Sequence, residues 1–257
     1  MCLVSIAWQQ HPDLALLIAA NRDERFDRPS DPLGWWHADP DILGGRDREA
    51  GGAWLALHRC GRFGVVTNFR EMPGKGDKPR SRGDLVTDWL TGDMSTDDYA
   101  EAVLTRGADY AGFNLLYGDP TTLAYVSNRT DQHGPLAPGT YALSNGLLDS
   151  AWPKVDAARR AMAQAAAAGR RDPYAFMPFL TDTTQAPDNQ LPVEDIDIER
   201  RRALSAPFIL DHRYGTRCST VVSMSTEGDV QMFEQRFEAR GTPVGHDSAS
   251  FRIRPID

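Results

Sequence analysis

The first 24 residues read MCLVSIAWQQHPDLALLIAANRDE, from Met1 to Glu24. Two apolar runs, residues 3–8 and 14–20, are separated by His11-Pro12-Asp13, a combination typical of a turn. Short apolar runs bounded by turn residues predict buried strands, and here the two strands are expected to pair as a hairpin. Pairing them would bring the polar segment after residue 20 back to the start of the chain.

Cys2 lies directly before the first predicted strand. An initiator Met is normally removed when the next side chain is small, so loss of Met1 is expected to leave a thiol and an α-amine on one residue. An α-amine has a reference pKa of about 7.7–8.0, so it could act as general base for its own thiol. The alternative is that Cys2 is a small buried apolar residue at the start of a strand.

The segment Asn21-Arg22-Asp23-Glu24 follows the second strand, and residues 21–32 are predicted to leave that strand as a polar loop. Arg22 near Cys2 would lower the pKa of the thiol, because a neighbouring cation favours the thiolate. Asp23 could orient the α-amino group. An ordinary charged loop is the alternative interpretation.

The rest of the chain alternates clusters of strands with groups of helices. Strands are predicted at residues 51–57, 62–68, 113–117, 123–127, 140–144, 216–224 and 230–240, and helices at residues 83–90, 96–106 and 152–168. An acidic surface loop is predicted at residues 181–199. This order predicts an α+β fold in which helices cover antiparallel sheets. Because no boundary interrupts it, residues 1–257 are expected to form a single domain.

Three polar residues further along the chain are candidates for chemistry. Asn68 and Asn145 end predicted strands, where a side-chain amide could donate to a developing oxyanion. Asparagine is also a common turn residue, especially in the Asn145-Gly146 pair. Arg217 begins an apolar strand, where an unpaired cation would be costly, so a buried carboxylate partner would explain it without catalysis.

Composition excludes several classes of function. With a formal charge of −8 and a pI near 5.3, the chain is not expected to bind nucleic acid. The basic stretch at residues 75–82 is expected to be a solvated loop. No run approaches the roughly 20 apolar residues that span a bilayer, and no secretory signal precedes the first strand. Three widely spaced cysteines fit neither a disulfide framework nor a metal site, and a cytoplasmic location is expected.

Several motifs together resemble the NRDE family, which includes the transport and Golgi organisation protein 2 homologues. They are Cys2, Asn21-Arg22-Asp23-Glu24, Gly51-Gly52-Ala53-Trp54-Leu55, Thr67-Asn68, Ser81-Arg82-Gly83, Leu143-Ser144-Asn145-Gly146 and Tyr214-Gly215-Thr216-Arg217. The resemblance runs in order from residue 2 to about residue 222. It implies a four-layer αββα sandwich of two antiparallel sheets, of the N-terminal-nucleophile hydrolase type.

A more distant similarity to choloylglycine hydrolases and penicillin V acylases implies a set of catalytic residues. Carried over position by position, the set is Cys2, Arg22, Asp23, Asn68, Asn145 and Arg217. One departure is that Arg22 and Asp23 adjoin here, whereas the acylases separate the two residues. Adjacent residues are expected to point in different directions.

Two functions follow from the resemblance. The first is an N-terminal-cysteine amidohydrolase that acts on small non-peptide amides and needs no cofactor. In a chain whose thiol is activated in this way, a thiol-directed electrophile should label Cys2 and spare Cys60 and Cys218. The alternative is a haem-binding or haem-trafficking carrier on the same fold. The side chains expected to bind a substrate or ligand are Trp35, Trp36 and Phe69.

Overall fold

A computed structural model describes residues 2–70, 78–191 and 196–254. The strands are β1 (Cys2–Trp8), β2 (Leu14–Arg25), β3 (Gly34–Trp35), β4 (Ile42–Gly44), β5 (Leu55–His58), β6 (Phe63–Asn68), β7 (Phe113–Gly118), β8 (Leu123–Ser127), β9 (Gly134–Pro135), β10 (Gly139–Leu143), β11 (Tyr214–Ser225), β12 (Asp229–Phe237) and β13 (Pro243–Arg252). The α-helices are α1 (Arg82–Thr91), α2 (Thr96–Thr105), α3 (Pro153–Ala167), α4 (Met177–Leu180) and α5 (Ile198–Ser205).

The strands form two antiparallel sheets. One has six strands in the order β10-β1-β2-β11-β12-β13, and the other has seven in the order β3-β4-β5-β6-β7-β8-β9. The predicted hairpin of β1 and β2 lies at the centre of the six-stranded sheet, with Cys2 opposite Arg22 and Trp8 opposite Leu16. Both strands are apolar along most of their length because both faces of this sheet are covered.

The two sheets pack face to face over the main core. Val4, Ile6 and Trp8 of β1 point into it and meet side chains of the opposite sheet such as Leu57 and Phe63. Each of these five side chains is almost fully buried. The alternate residues of β1 face outward, in accord with the two-residue period of a strand.

Helices cover both outer faces. Leu3 and Ala7 of β1 pack beneath α3, whereas α1 and α2 cover the outer face of β6, β7 and β8. The hydroxyl of Ser81 caps α1 by accepting the backbone N–H of Gly83. The layers therefore run helix, sheet, sheet, helix, which is the predicted αββα sandwich. None of the helices in the described ranges has both the length and the apolar character needed to span a bilayer.

Two predicted loops are wrong in part. Residues 21–25 continue β2 instead of leaving it, because their polar groups find partners within the fold. Asn21, for example, donates to the backbone carbonyls of Leu180 and Pro207 and accepts the hydroxyl of Ser219. In the basic stretch, Arg82 is the half-buried first residue of α1 and is not part of a solvated loop.

Parts of two predictions lie outside the described residues. These parts are residues 75–77 of the basic stretch and residues 192–195 of the predicted acidic loop. The last two residues of that predicted loop, Ile198 and Glu199, begin α5. Asp197 caps this helix by accepting the backbone N–H of Arg200 at 2.8 Å.

Candidate active site

Cys2 lies in the wall of a cavity of about 800 Å³. The strands β1, β2, β6 and β11 and the first turn of α1 all contribute to this wall. Of the six side chains predicted to be catalytic, the cavity brings together five: Cys2, Arg22, Asp23, Asn68 and Arg217. Residues up to 215 positions apart in the chain therefore share one site.

Arg22 lies between two thiols. It is the register partner of Cys2 on β1 and of Cys218 on β11, and laterally paired residues of a sheet point to the same face. An Nη atom of Arg22 lies 3.6 Å from a carboxylate oxygen of Asp47. Burial raises the pKa of the Cys2 thiol, although a backbone hydrogen bond from Asp23 and the charge of Arg22 act in the other direction. A Cys2 thiol with a raised pKa is protonated at neutral pH and needs a base to become a nucleophile.

The carboxyl group of Asp23 is buried beside this thiol. Burial raises the pKa of Asp23 to about 6. The charge of Lys154 and a 2.7 Å hydrogen bond from the hydroxyl of Thr216 act in the opposite direction and lower this pKa. Asp23 lines the same cavity as Arg22 although the two are adjacent on a strand. Pairing between β1 and β2 ends at Cys2 opposite Arg22, so the described part of β1 does not flank β2 at Asp23.

Asn68 and Asn145 have different places in the site. Asn68 ends β6 with its side chain exposed to the cavity. Asn145 is buried, and its amide donates a 2.7 Å hydrogen bond to the backbone carbonyl of Asn68. The hydroxyl of Ser144 contacts both the side-chain oxygen of Asn145 and the backbone carbonyl of Cys2, at 3.2 and 2.8 Å. Asn145 borders a second cavity, of about 820 Å³, and does not line the Cys2 cavity. Its side chain therefore stabilises the position of the Asn68 backbone without facing Cys2 across the cavity.

Arg217 lies at a β-bulge of β11, between the residues that pair with Asp23 and Arg22. Its guanidinium donates to the backbone carbonyls of Arg25 and Arg28 at 2.8 and 2.9 Å. The carboxylate partner that would have explained this arginine is not found among the described residues. Burial lowers the pKa of Arg217, and the nearby charge of Arg22 acts in the same direction.

The predicted ligand-binding aromatics do not line the Cys2 cavity. Trp35 is covered by the guanidinium of Arg59, 3.8 Å from the ring centre, and Trp36 is buried with its indole N–H bonded to the carbonyl of Gly44. Both rings are thus used in packing. Phe69 is half-buried and follows β6 outside the cavity wall, and Trp54 supplies an aromatic ring to that wall.

Sequence reasoning did not assign most charged members of the cavity wall to the site, and four of these bear on the chemistry near Cys2. They are Arg28, Asp47, Arg82 and Glu234. Arg28 and Asp47 form a 2.6 Å ion pair, and Glu234 is a buried carboxyl whose pKa is raised by burial. Arg82 belonged to a quoted motif and could have been found there. Asp47 and Glu234 carry no local signal, because only the folded chain places them beside Cys2.

The chain is similar in sequence to known proteins over most of its length. A family profile described as Transport and Golgi organisation 2 matches residues 1–239. The Transport and Golgi organization protein 2 homolog of Bos taurus is 32% identical over 275 residues, covering 99% of each chain. The Homo sapiens homolog is 31% identical over 256 residues, covering 91% of this chain and 92% of its own.

Among solved structures, a variant of conjugated bile acid hydrolase from Clostridium perfringens superposes with a TM-score of 0.52. It covers 99% of this chain and 98% of its own at 10% identity, so the likeness concerns the fold alone. The fold is that of the N-terminal-nucleophile hydrolases, with two packed antiparallel sheets. By the profile match and the full-length relatives, the chain belongs to the Transport and Golgi organisation 2 family.

Proposed function

We propose that this chain is an N-terminal-nucleophile amidohydrolase in which Cys2 attacks the carbonyl carbon of a small non-peptide amide. The observation that carries the proposal is the position of Cys2, at the start of a central strand and in the wall of a cavity shared with Arg22, Asp23 and Asn68. The fold supports it by likeness, since that fold is known among hydrolases.

The proposed nucleophile needs a base, because burial raises the pKa of the Cys2 thiol. Removal of Met1 would supply one in the α-amine of Cys2 itself, whose reference pKa is about 7.7–8.0. In this scheme the amine takes the thiol proton as sulfur attacks. The buried carboxylate of Asp23 would accept a hydrogen bond from the resulting ammonium and hold it in place.

Attack forms a C–S bond and places negative charge on the former carbonyl oxygen. The Asn68 side-chain amide is the proposed donor to that oxyanion, and Arg22 supplies positive charge beside the sulfur. Collapse breaks the C–N bond, and the leaving amine takes the proton from the α-ammonium. Water then attacks the thioester, releases the carboxylic acid and restores the thiol.

The test is hydrolysis of N-acyl amines by protein whose intact mass shows that Met1 has been removed. We expect amine release together with a transient mass increase equal to one acyl group on the peptide that contains Cys2. Cys2→Ala should abolish both signals, whereas Cys218→Ser should retain them as the matched control for a buried thiol in the same cavity. One extra residue before Cys2 should also abolish turnover, because the α-amine is then no longer next to the thiol.

Hydrolysis that survives in Cys2→Ala would overturn the proposal, as would the absence of both amine release and acyl-enzyme from Met1-free protein. The haem carrier expected as the alternative gives a different signal. A Soret band that forms on titration with haem, and that is unchanged by the N-terminal extension, would favour it.

A further inference from the structure

Basic side chains outnumber acidic ones in the wall of the Cys2 cavity, although acidic residues outnumber basic ones in the whole chain. The whole sequence has 36 acidic and 28 basic residues, excluding histidine. The cavity is lined by eight arginine and lysine side chains and six aspartate and glutamate side chains. Burial also raises the pKa values of two of these carboxyl groups, those of Asp23 and Glu234, which weakens the negative contribution further. An acidic chain therefore concentrates positive charge at its candidate active site.

Several of these cations are already paired with carboxylates. Arg28 lies 2.6 Å from Asp47, and Arg80 lies 2.8 Å from Asp88. The carboxylates compensate the positive charge of these arginines within the protein, so these arginines need no anionic ligand. What remains to be explained is any cavity cation that has no such partner.

Arg82 is such a cation. It is half-buried at the start of α1, and its one hydrogen bond among the described residues is a long 3.4 Å contact with the carbonyl of Gly112. No ion pair joins it to a carboxylate within the described ranges. Burial lowers the pKa of the guanidinium, although the charges of Cys2 and Glu24 favour its protonated form. Arg82 and Arg217 line the same cavity as Cys2.

Arg217 is another such cation. It donates to the carbonyls of Arg25 and Arg28 and lies 5.6 Å from the ring centre of Phe26, with no carboxylate in ion-pair contact among the described residues. Glu24 attracts both arginines electrostatically, but its Oε1 accepts the backbone N–H of Arg25 and forms no described ion pair with either. A guanidinium taken partly out of water without a carboxylate in ion-pair contact is costly, unless an anion arrives from outside the protein.

We infer that Arg82 and Arg217 form an anion subsite beside Cys2, which holds a carboxylate or phosphate group of the substrate. The inference rests on the proposed function and narrows its substrate class to amides that carry such a group close to the scissile bond. A guanidinium presents its N–H groups as a planar fork that matches the oxygens of both anions. Neutral N-acyl amines leave both arginines uncompensated and are the poorer ligands.

The test is binding to Cys2→Ala, which removes the nucleophile, so the result does not depend on turnover. Two matched pairs of probes separate the two anions. N-hexanoylglycine is compared with N-hexanoylglycinamide, and O-phospho-N-hexanoylethanolamine with N-hexanoylethanolamine, by isothermal titration calorimetry. We expect at least one anionic member to bind about tenfold or more tightly than its neutral partner. That preference should shrink in 0.5 M salt.

A second substitution, Arg82→Gln, should reduce the affinity for the anionic probe about tenfold and leave the neutral probe unchanged. Arg252→Gln, at an exposed arginine outside the cavity, is the matched control and should keep the preference. If Arg82→Gln does not fold, the inference is tested by whether 0.5 M salt reduces the preference of the Cys2→Ala protein for the anionic probe. Equal binding of anionic and neutral probes, no binding of either anion, or a preference that Arg82→Gln leaves intact would each overturn the inference. Failure of hydrolysis in the wild-type chain would count against the proposed reaction alone.

Discussion

The side-chain amide of Asn145 donates a 2.7 Å hydrogen bond to the backbone carbonyl of Asn68. Asn68 is the last residue of β6 and Asn145 follows β10 of the other sheet, so this bond joins the sheets at the end where Cys2 lies. Two neighbouring bonds reinforce it, because the Thr67 hydroxyl donates to the carbonyl of Ser144 and the backbone N–H of Arg70 donates to that of Asn145. Asn145 is thus a positioning residue for Asn68.

Separate substitutions of the two asparagines should therefore have different effects. Asn145→Ala removes a buried side chain and leaves the partly buried carbonyl of Asn68 without its donor, and it should lower the free energy of unfolding by about 1–3 kcal/mol, measured by urea denaturation. Asn68→Ala removes an exposed side chain and should change that free energy by less than about 0.5 kcal/mol. If Asn68 is the oxyanion donor, its loss should reduce kcat about 10²–10³-fold. Equal destabilisation by the two variants would contradict this division of roles.

The three cysteines should differ in reactivity, and in a chain that retains Met1 the fastest should be Cys60. Cys2 and Cys218 are buried, which raises the pKa of both thiols. The sulfur of Cys60 is partly exposed and lies 3.0 Å from Nδ1 of His58. Burial opposes ionisation of Cys60, but the hydrogen bonds from His58 and from the backbone N–H of Arg62, together with the charges of these two residues, lower the pKa of the thiol.

Iodoacetamide at pH 7, followed by peptide mapping, should modify Cys60 first in such a chain, about tenfold faster than the two buried thiols. His58→Ala should slow that step, whereas His133→Ala, at a histidine remote in sequence from all three thiols, should not. Faster labelling of Cys2 than of Cys60 would contradict the prediction. In the chain without Met1 the proposed function gives the opposite expectation, with Cys2 labelled quickly, so the two preparations should be compared directly.

The elements that the sequence predicts well are those that local pattern defines. The β1–β2 hairpin follows from two apolar runs around a turn, and Ser81 marks the start of α1. β13 (Pro243–Arg252) was missed because it is an edge strand with alternate residues exposed and few apolar side chains. Residues 21–25 were misassigned because Asn21 is satisfied by groups 159 to 198 positions away, which no local pattern reveals.

Among the site residues too, those marked by a local motif could be predicted and those placed by distant segments could not. The resemblance to the NRDE family named Cys2 and Arg22, which the fold places side by side. It did not name Asp47 or Glu234, since their side chains reach the cavity from separate segments of the chain. A pocket assembled from many elements can be recognised residue by residue only where a motif already marks those residues.

Asp23 should make the stability of the fold depend on pH. Its pKa is raised to about 6 in the folded chain from an ordinary value of 3.8, so the folded state binds the proton more tightly than the unfolded state. The contribution to stability is therefore fully present below about pH 4 and is lost as the pH rises to about 6. A shift of this size corresponds to about 3 kcal/mol.

Asp23→Asn should remove this dependence and keep an oxygen that can accept the hydroxyl of Thr216. The measurement is the free energy of unfolding at pH 4, 5, 6 and 7. Relative to wild type, the variant should gain about 2 kcal/mol between pH 4 and pH 7, because part of the full effect lies below pH 4. Asp93→Asn, at an exposed position, is the matched control and should follow the wild-type curve. Parallel curves for Asp23→Asn and wild type would show that this carboxyl group does not carry the pH dependence.

Two family motifs meet where Gly52 packs against Gly83 in the first turn of α1. A Cβ atom on Gly52 would lie 2.5 Å from the carbonyl carbon of Gly83, a distance that side chains do not reach without a shift of the backbone. Gly52→Ala must therefore separate the start of α1, and with it Arg82, from the Gly52 segment. We expect a loss of about 1–3 kcal/mol in the free energy of unfolding, together with weaker binding of the anionic probes.

Gly34→Ala is the matched control for this contact. Its added Cβ has the carbonyl oxygen of Pro32, at 4.0 Å, as its nearest neighbour, and its backbone lies outside the left-handed region. Unfolding in urea should show this variant to be as stable as wild type or slightly more stable, because alanine restricts the unfolded chain. Equal stability of Gly52→Ala and Gly34→Ala would mean that α1 can move away from residue 52 without lowering the free energy of unfolding. Arg82 would then not be held in place by this contact, and its position in the cavity would have to depend on other interactions.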